Sequence, residues 1–114
     1  MRHMLIASCL LALMACGKGS APKDLIGTDQ FVDVMVDIHL AEASVYNLRP
    51  GTDTARSVLK DHYATIMSSH NVKPDQFLAT FQYYRKHPDK MAVVYEKVIE
   101  KLSALEAEWS NKYE

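Results

Sequence analysis

The stretch TDQFVDVMVDIHLAEA, residues Thr28–Ala43, is apolar around most of a helical circumference. At 100° per residue, Asp33 and Asp37 fall in one narrow polar arc, and aliphatic and aromatic side chains fill most of the remaining surface. A helix that is apolar on most sides has to be surrounded by other elements. The stretch therefore predicts the central helix of an all-α fold.

Turn and cap signals divide the following chain into further helices. Thr28 is suited to cap the first helix, which runs to about Asn47, where the sequence LRPGTD breaks the pattern. Asp53 is suited to cap a second helix, and Asn71 suits the left-handed position at its end. Pro74 fits the first turn of a third helix, because a proline there loses no helical hydrogen bond.

A His-Pro pair separates the third helix from a fourth. The proline pushes His87 out of helical geometry, and Pro88 begins a helix that reaches about Lys112. The apolar residues of this helix alternate by four and three: Met91, Tyr95, Val98, Leu102, Leu105 and Trp109. The helix is roughly 37 Å long and the third only roughly 20 Å, so the end that carries Leu105 and Trp109 needs another partner. We expect the first helix to pack against this end of the fourth helix. The alternative is that Leu105 and Trp109 contact a second molecule.

Length, composition and charge agree with a small bundle of four helices. A chain of 114 residues supports one domain with a small core. Gly and Pro, at four residues each, are scarce for a β-rich or disordered chain. The formal net charge is −1, and the basic residues form no stripe of the kind that follows phosphates. Nucleic acid is therefore not an expected partner.

The N-terminus has the pattern of an export signal. Arg2 precedes a mostly apolar segment, Met4–Met14, which has the length of a signal-peptide core and is far shorter than the ~20 residues of a membrane span. Leu13 is too large for ordinary signal cleavage after Ala15. The four residues that end at Cys16, Leu-Met-Ala-Cys, resemble a bacterial lipobox instead.

This interpretation makes residues 1–15 a cleaved lipoprotein signal peptide and Cys16 the site of lipid attachment. Cys9 leaves with the signal peptide, so Cys16 has no disulfide partner within the chain. Two or three acyl chains hold a small domain on a membrane stably. Residues 16–27 then form a flexible tether, and residues 28–114 form the helical domain.

Two stretches carry a resemblance to a known family. They are LIGTDQFVDVMVDIHLAEA, residues 25–43, and DQFLATFQYYRKHPDKMAVVYEKVIEKL, residues 75–102. The second combines paired tyrosines, the His-Pro break and a following Tyr-x-x-Val-x-x-x-Leu. Together they resemble small helical lipoproteins of Bacteroidetes that carry a domain of unknown function. The resemblance implies an all-α lipoprotein of the cell envelope and supplies no catalytic residues.

His39 and Glu42 are the unusual residues of the first helix. Both fall inside its apolar arc, and a buried charge without a partner costs several kcal/mol. Candidate partners on other helices are His62, Arg56, Tyr84 and Arg85. We expect a buried polar network that fixes the register of the bundle. A ligand pocket, or a metal or acid–base site of His39, Glu42 and His62, is the alternative, although metal sites in bundles use more carboxylates than the sequence offers here.

Three acids of the first helix, Asp29, Asp33 and Asp37, recur every four residues. Such a row is able to bind calcium only with further oxygen ligands, and no obvious source for them is present. We therefore interpret the row as a solvated helix face.

The motifs of familiar catalytic sites are missing from the sequence. It has no Ser-His-Asp order, no glycine-rich phosphate loop and no Cys-x-x-Cys pair. We predict a non-catalytic interaction or accessory module without cofactor or metal, anchored by lipid on Cys16 and working with an envelope protein. Gly17 is not the aspartate that retains lipoproteins in the inner membrane of the best-known bacteria, which favours the outer membrane. A homodimer through Leu105 and Trp109 is a further prediction.

Overall fold

The computed structural model describes residues 24–114 as four α-helices: α1 Thr28–Ser44, α2 Asp53–Ser69, α3 Pro74–Arg85 and α4 Pro88–Tyr113. The predicted all-α bundle is confirmed, and no strand occurs in residues 24–114. The predicted signal peptide, the lipid site at Cys16 and most of the tether lie outside the described residues. None of the four helices is both long and apolar enough to cross a membrane.

The first helix is central, as its sequence predicts. Its buried side chains are Phe31, Val32, Val34, Met35, Val36 and Ala41. The Phe31 ring is fully buried and stacks on the ring of Tyr84, with the centroids 4.9 Å apart. A second aromatic ring of α3, that of Phe77, lies 5.7 Å from the Phe31 ring. Since α1 also packs against α2 and α4, the bundle forms around it.

Both ends of α1 differ from the prediction. Gly27 is the cap residue, and Thr28 is the first helical residue. The Thr28 hydroxyl shares a hydrogen bond of 2.9 Å with the hydroxyl of Tyr84 rather than capping the helix. At the other end, the hydroxyl of Ser44 donates to the carbonyl oxygen of Ala41 at 2.7 Å. The N–H of Tyr46 bonds to the carbonyl of Ala43, three residues back, at 3.2 Å, which is a turn and not an α-helical bond, so α1 ends at Ser44 and not near Asn47.

The cap of α2 is one residue earlier than predicted. The backbone N–H of Ala55 donates to the hydroxyl of Thr52 at 3.3 Å, so Thr52 is the cap residue. Asp53 is already helical and pairs with Arg56 at 2.7 Å. The Asp53 carboxylate still interacts favourably with the positive end of the helix dipole. Thr52 and Asp53 are therefore both suited to the start of a helix, and the sequence alone does not distinguish which of them is the cap residue.

The end of α2 is as predicted. Asn71 has a φ of 54°, the left-handed conformation. The N–H of Val72 donates to the carbonyl oxygen of Met67 at 2.9 Å. The N–H of Asn71 donates to the carbonyl oxygen of Ser68 at 3.1 Å. These two bonds form a Schellman motif, which turns the chain toward α3 and buries Val72.

The packed part of the chain begins before residue 28. Ile26 is only 4% exposed, and its N–H donates to the hydroxyl of buried Thr80 at 3.0 Å. The same hydroxyl donates to the carbonyl oxygen of Gln76 at 2.8 Å. A tether that extends to residue 27 is therefore inconsistent with the structure, because Ile26 is fixed to α3.

The packing register of α4 differs from the predicted one at a single turn. Val94 and Val98 are fully buried, whereas Tyr95 is exposed and lies beside the ring of His39, with the centroids 6.4 Å apart. Leu105 is half-buried against the core, but Trp109 is 63% exposed. The expected cover of the α4 end by the rest of the chain therefore reaches Leu105 and not Trp109.

Candidate functional site

A groove of about 760 Å³ opens between α1, α2 and α3. The first helix lines it with Met35, Ile38, His39 and Glu42, and the second with Lys60, Tyr63, Ala64 and Met67. The third helix contributes Pro74, Phe77, Leu78 and Phe81, and α4 contributes Tyr95. Each of the first three sets has the spacing i, i+3, i+4, i+7, which is one face of a helix. We call this surface the three-helix groove.

The floor of the three-helix groove is apolar and its rim is polar. Met35 and Met67 are buried in the floor, and Phe77 and Phe81 are half-buried. Leu78, in contrast, is 54% exposed although it is aliphatic. Cavities of this volume with an apolar lining and a few polar groups are typical of binding sites.

The polar rim is organised around Glu42. The hydroxyl of Tyr63 donates to Oε1 of Glu42 at 2.9 Å. Nδ1 of His39 lies 3.8 Å from Oε2 of the same carboxylate, which is longer than a hydrogen bond. Burial and, after it, the hydrogen bond to Glu42 raise the pKa of Tyr63 above its usual value of 10.0. The carboxylate is thus held in place by Tyr63 while remaining open to a ligand.

The structure corrects the prediction that His39 and Glu42 are buried. The Glu42 side chain is 49% exposed and that of His39 is 37% exposed. The reason is that α1 is covered most completely in its first half, whereas after His39 only Ala41 in this helix is buried. An apolar arc defined by the first half does not describe the second, so these two polar residues form a groove rim and not a buried network.

The other predicted partners lie elsewhere. Tyr84 is buried against Phe31, away from His39 and Glu42, and Arg85 and His62 are exposed. Arg56 pairs with Asp53 at the start of α2. None of these side chains lines the three-helix groove. Within Asp24–Glu114, no group of three His, Cys, Asp or Glu residues is arranged to hold a metal ion.

Sequence reasoning missed Tyr63 as the partner of Glu42, and it missed the contribution of Lys60, Leu78 and Tyr95. The spacing of the groove residues on α2 and α3 is visible in the sequence as two further stripes. It does not reveal which stripes face one another, because the crossing of helices depends on contacts between distant residues.

The acidic row of α1 is an intramolecular contact surface and not simply a solvated face. Each carboxylate faces a basic side chain of another segment: Asp29 and Lys97 at 3.5 Å, Asp33 and Lys101, and Asp37 and His70 at 2.7 Å. The hydrogen bond with Asp33 raises the pKa of Lys101. These pairs join α1 to α4 and to the end of α2, on a different side of α1 from Glu42.

The comparison with known proteins gives a family but no activity. No curated protein and no solved structure matches the chain. The model of a family described as a domain of unknown function, DUF4296, matches residues 22–108, which include all of α1, α2 and α3 and most of α4. The chain belongs to the DUF4296 family.

Proposed function

We propose that the protein is a lipid-anchored, non-catalytic docking module of the cell envelope. Its three-helix groove binds the apolar face of a helix from a protein partner. The observation that carries this proposal is the groove itself, in which three helices turn matching stripes of side chains toward one open, apolar channel.

The dimensions of the groove suit a helix. A stripe from residue i to residue i+7 spans roughly 10.5 Å, or about two turns. Helices bind in such grooves through side chains with the same i, i+3, i+4, i+7 spacing. Exposed Leu78 would cover the apolar side of the bound helix, and Lys60 and Glu42 on the rim would meet its polar flanks.

A photo-crosslinking experiment in the native source tests the groove. A photoreactive amino acid at Leu78 is expected to capture a protein partner, because this side chain is exposed inside the groove. Val93 is a matched control, since it is an aliphatic residue of α4 that is 49% exposed and does not line the groove. Equal capture at both positions would show that the groove has no preference for a partner.

A small amphipathic molecule is the second candidate ligand. The groove volume of about 760 Å³ lies within the range of small-molecule sites, and the Tyr63–Glu42 hydrogen bond places a fixed carboxylate beside the apolar floor. Such a ligand would carry an amine or hydroxyl at the Glu42 end. Native mass spectrometry of the purified protein would detect it as a retained mass that Leu78→Glu removes and Val93→Glu preserves.

The lipid anchor is proposed from the sequence Leu13–Cys16, which lies outside the described residues. Metabolic labelling with an alkyne fatty acid is expected to label the protein and to fail for Cys16→Ser. Cys9→Ser is the control, because Cys9 belongs to the proposed signal peptide and its loss should leave the label intact. Separation of inner and outer membranes would then test the expected outer-membrane location. Labelling of Cys16→Ser would exclude this cysteine as the acylated residue.

A further inference from the structure

We propose that the helix bound in the three-helix groove is the C-terminal end of α4 from a second copy of the chain. This inference rests on the proposed function, because it names the partner of the same groove. It commits the docking module to self-association at the membrane.

The end of α4 leaves two aromatic side chains exposed in its own chain. Leu105 is the last residue of α4 that packs against the core. From there to Tyr113 the helix continues for roughly 12 Å. Trp109 is 63% exposed and Tyr113 is 70% exposed, and their rings lie side by side with the centroids 5.6 Å apart. We call the segment Glu106–Tyr113 the α4 tip.

The α4 tip matches the groove in length and in chemistry. From Glu106 to Tyr113 it spans roughly 10.5 Å, the same length as a groove stripe from residue i to residue i+7. Trp109 and Tyr113, four residues apart, lie on one side of the helix, as the anchors of a groove-bound helix do. The groove offers the aromatic rings of Phe77, Phe81 and Tyr95 as their counterparts.

The charges of the two surfaces are complementary. The groove rim carries one cation, Lys60, and one carboxylate, Glu42. The α4 tip carries two carboxylates, Glu106 and Glu108, and one cation, Lys112, which follows Glu108 by one turn. Lys60 is the rim counterpart of the two tip carboxylates, and Glu42 is the counterpart of Lys112. Opposite charges that face each other across an interface favour a partner that carries both signs over one of a single sign.

The tip is unable to reach the groove of its own chain. The groove already includes Tyr95 of the same helix. Tyr95 and Trp109 lie roughly 21 Å apart along one uninterrupted α-helix. Because α4 does not bend back on itself, the tip occupies a groove only in another molecule. Two copies that exchange their tips form a closed, two-fold dimer.

Cysteine crosslinking in cells tests this contact with the full chain. Two differently tagged copies are co-expressed, one with Leu78→Cys and the other with Trp109→Cys, and are treated with a mild oxidant. A disulfide between the two tags is expected. In the matched control, Val93→Cys replaces Leu78→Cys. A second control uses the two tagged copies without introduced cysteines. Both controls are expected to give at least tenfold less crosslinked product.

Trp109→Ala tests the energetic contribution of the tip. In detergent solution, sedimentation equilibrium of the full-length protein is expected to show at least a tenfold weaker self-association, the effect of removing an aromatic hot spot. Ser103→Ala, an exposed position on α4 before the tip, is expected to leave self-association unchanged.

Three outcomes overturn the inference, and they separate it from the proposed function. Trp109-to-Trp109 crosslinks in place of Leu78-to-Trp109 crosslinks would show that the tips pair with one another. Capture of a different envelope protein by the photoreactive residue at Leu78, without any self-crosslink, would disprove self-docking and support the groove as a docking site. If neither the photoreactive residue at Leu78 nor the cysteine pair at Leu78 and Trp109 gives a crosslink, both the docking function and the self-docking are overturned.

Discussion

At the scale of single residues, the bond between Tyr63 and Glu42 fixes the polar edge of the groove. Burial is the main reason that the pKa of Tyr63 is above 10.0, and Glu42 raises it further. Folding therefore favours the neutral phenol. The neutral Tyr63 phenol makes its full contribution to the free energy of unfolding below the pKa of an unfolded tyrosine. This contribution is lost as the pH rises through the raised pKa of the folded state.

We predict that Glu42→Gln lowers the pKa of Tyr63 toward 10.0 without restoring it fully, because burial remains. Ultraviolet titration of tyrosinate formation measures this, with Tyr63→Phe subtracted to isolate the one phenol. Glu96→Gln, an exposed carboxylate on α4, is the control and should leave the titration unchanged. An identical Tyr63 titration in Glu42→Gln and in the unaltered protein would contradict the hydrogen bond.

A second residue-scale prediction concerns Thr80, whose hydroxyl connects Ile26 to α3. Thr80→Val keeps the shape of the side chain but leaves the buried N–H of Ile26 without an acceptor, so we expect a loss of about 1–3 kcal/mol in the free energy of unfolding. Urea denaturation measures it. Thr80→Ser retains the hydroxyl and removes a methyl group, and about 0.8 kcal/mol is the expected loss. A valine variant as stable as the serine variant would refute this role.

The same residues show where sequence reasoning stops. The position of Glu42 within three residues of His39 is local information and was available from the sequence. The partner of Glu42 is not local, because Tyr63 lies on α2 and meets Glu42 only through the packing of two helices. Arg85 and His62 were equally plausible from their helical faces, and only the relative rotation of the helices excludes them.

At the scale of the elements, the clearest local signal is Asn71. Its φ of 54° is the left-handed conformation, which costs roughly 1–2 kcal/mol for most residues that have a Cβ. Asparagine tolerates this conformation better than most other residues. We predict that Asn71→Val destabilises the domain by about that amount, measured by thermal or urea unfolding. Asn71→Gly removes the strain, so this variant should be more stable than Asn71→Val by at least the same margin. Equal stability of the three proteins would mean that the left-handed turn is not formed.

The starts of α3 and α4 and the end of α2 were predictable, because the prolines and the asparagine act within one turn of the chain. The starts of α3 and α4 at Pro74 and Pro88 follow directly from the proline geometry. The buried face of α4 was less predictable. A four-three pattern accommodates either Val94 or Tyr95, and the neighbouring α1 decides that Val94 enters the core while Tyr95 remains beside His39.

At the scale of the whole molecule, the bundle has one side that is joined by charge pairs and one open side. The acidic row of α1 is joined to α4 and to the end of α2 through pairs with Lys97, Lys101 and His70. On another side, α1, α2 and α3 diverge around the three-helix groove. The number of helices and the central position of α1 followed from the sequence, but the open side did not, because short amphipathic helices have the same pattern whether their stripes touch or remain apart.

The α4 tip provides a whole-molecule prediction that does not depend on its partner. Deleting residues 109–114 removes the exposed Trp109 and Tyr113 but no residue of the core. We therefore expect an unchanged midpoint of thermal unfolding at protein concentrations too low for self-association. Leu105→Ala is the contrasting variant, because Leu105 packs against the core at partial exposure, and a loss of about 1–2 kcal/mol is expected.

A lower midpoint for the deletion at such concentrations would show that the tip packs against its own domain. An unchanged midpoint together with a concentration-dependent midpoint in the full chain would show the opposite, since a ligand that binds only the folded state raises its apparent stability by mass action. The deletion thus separates the two roles of α4: the segment through Leu105 completes the core of its own domain, and the segment beyond it is available to another molecule.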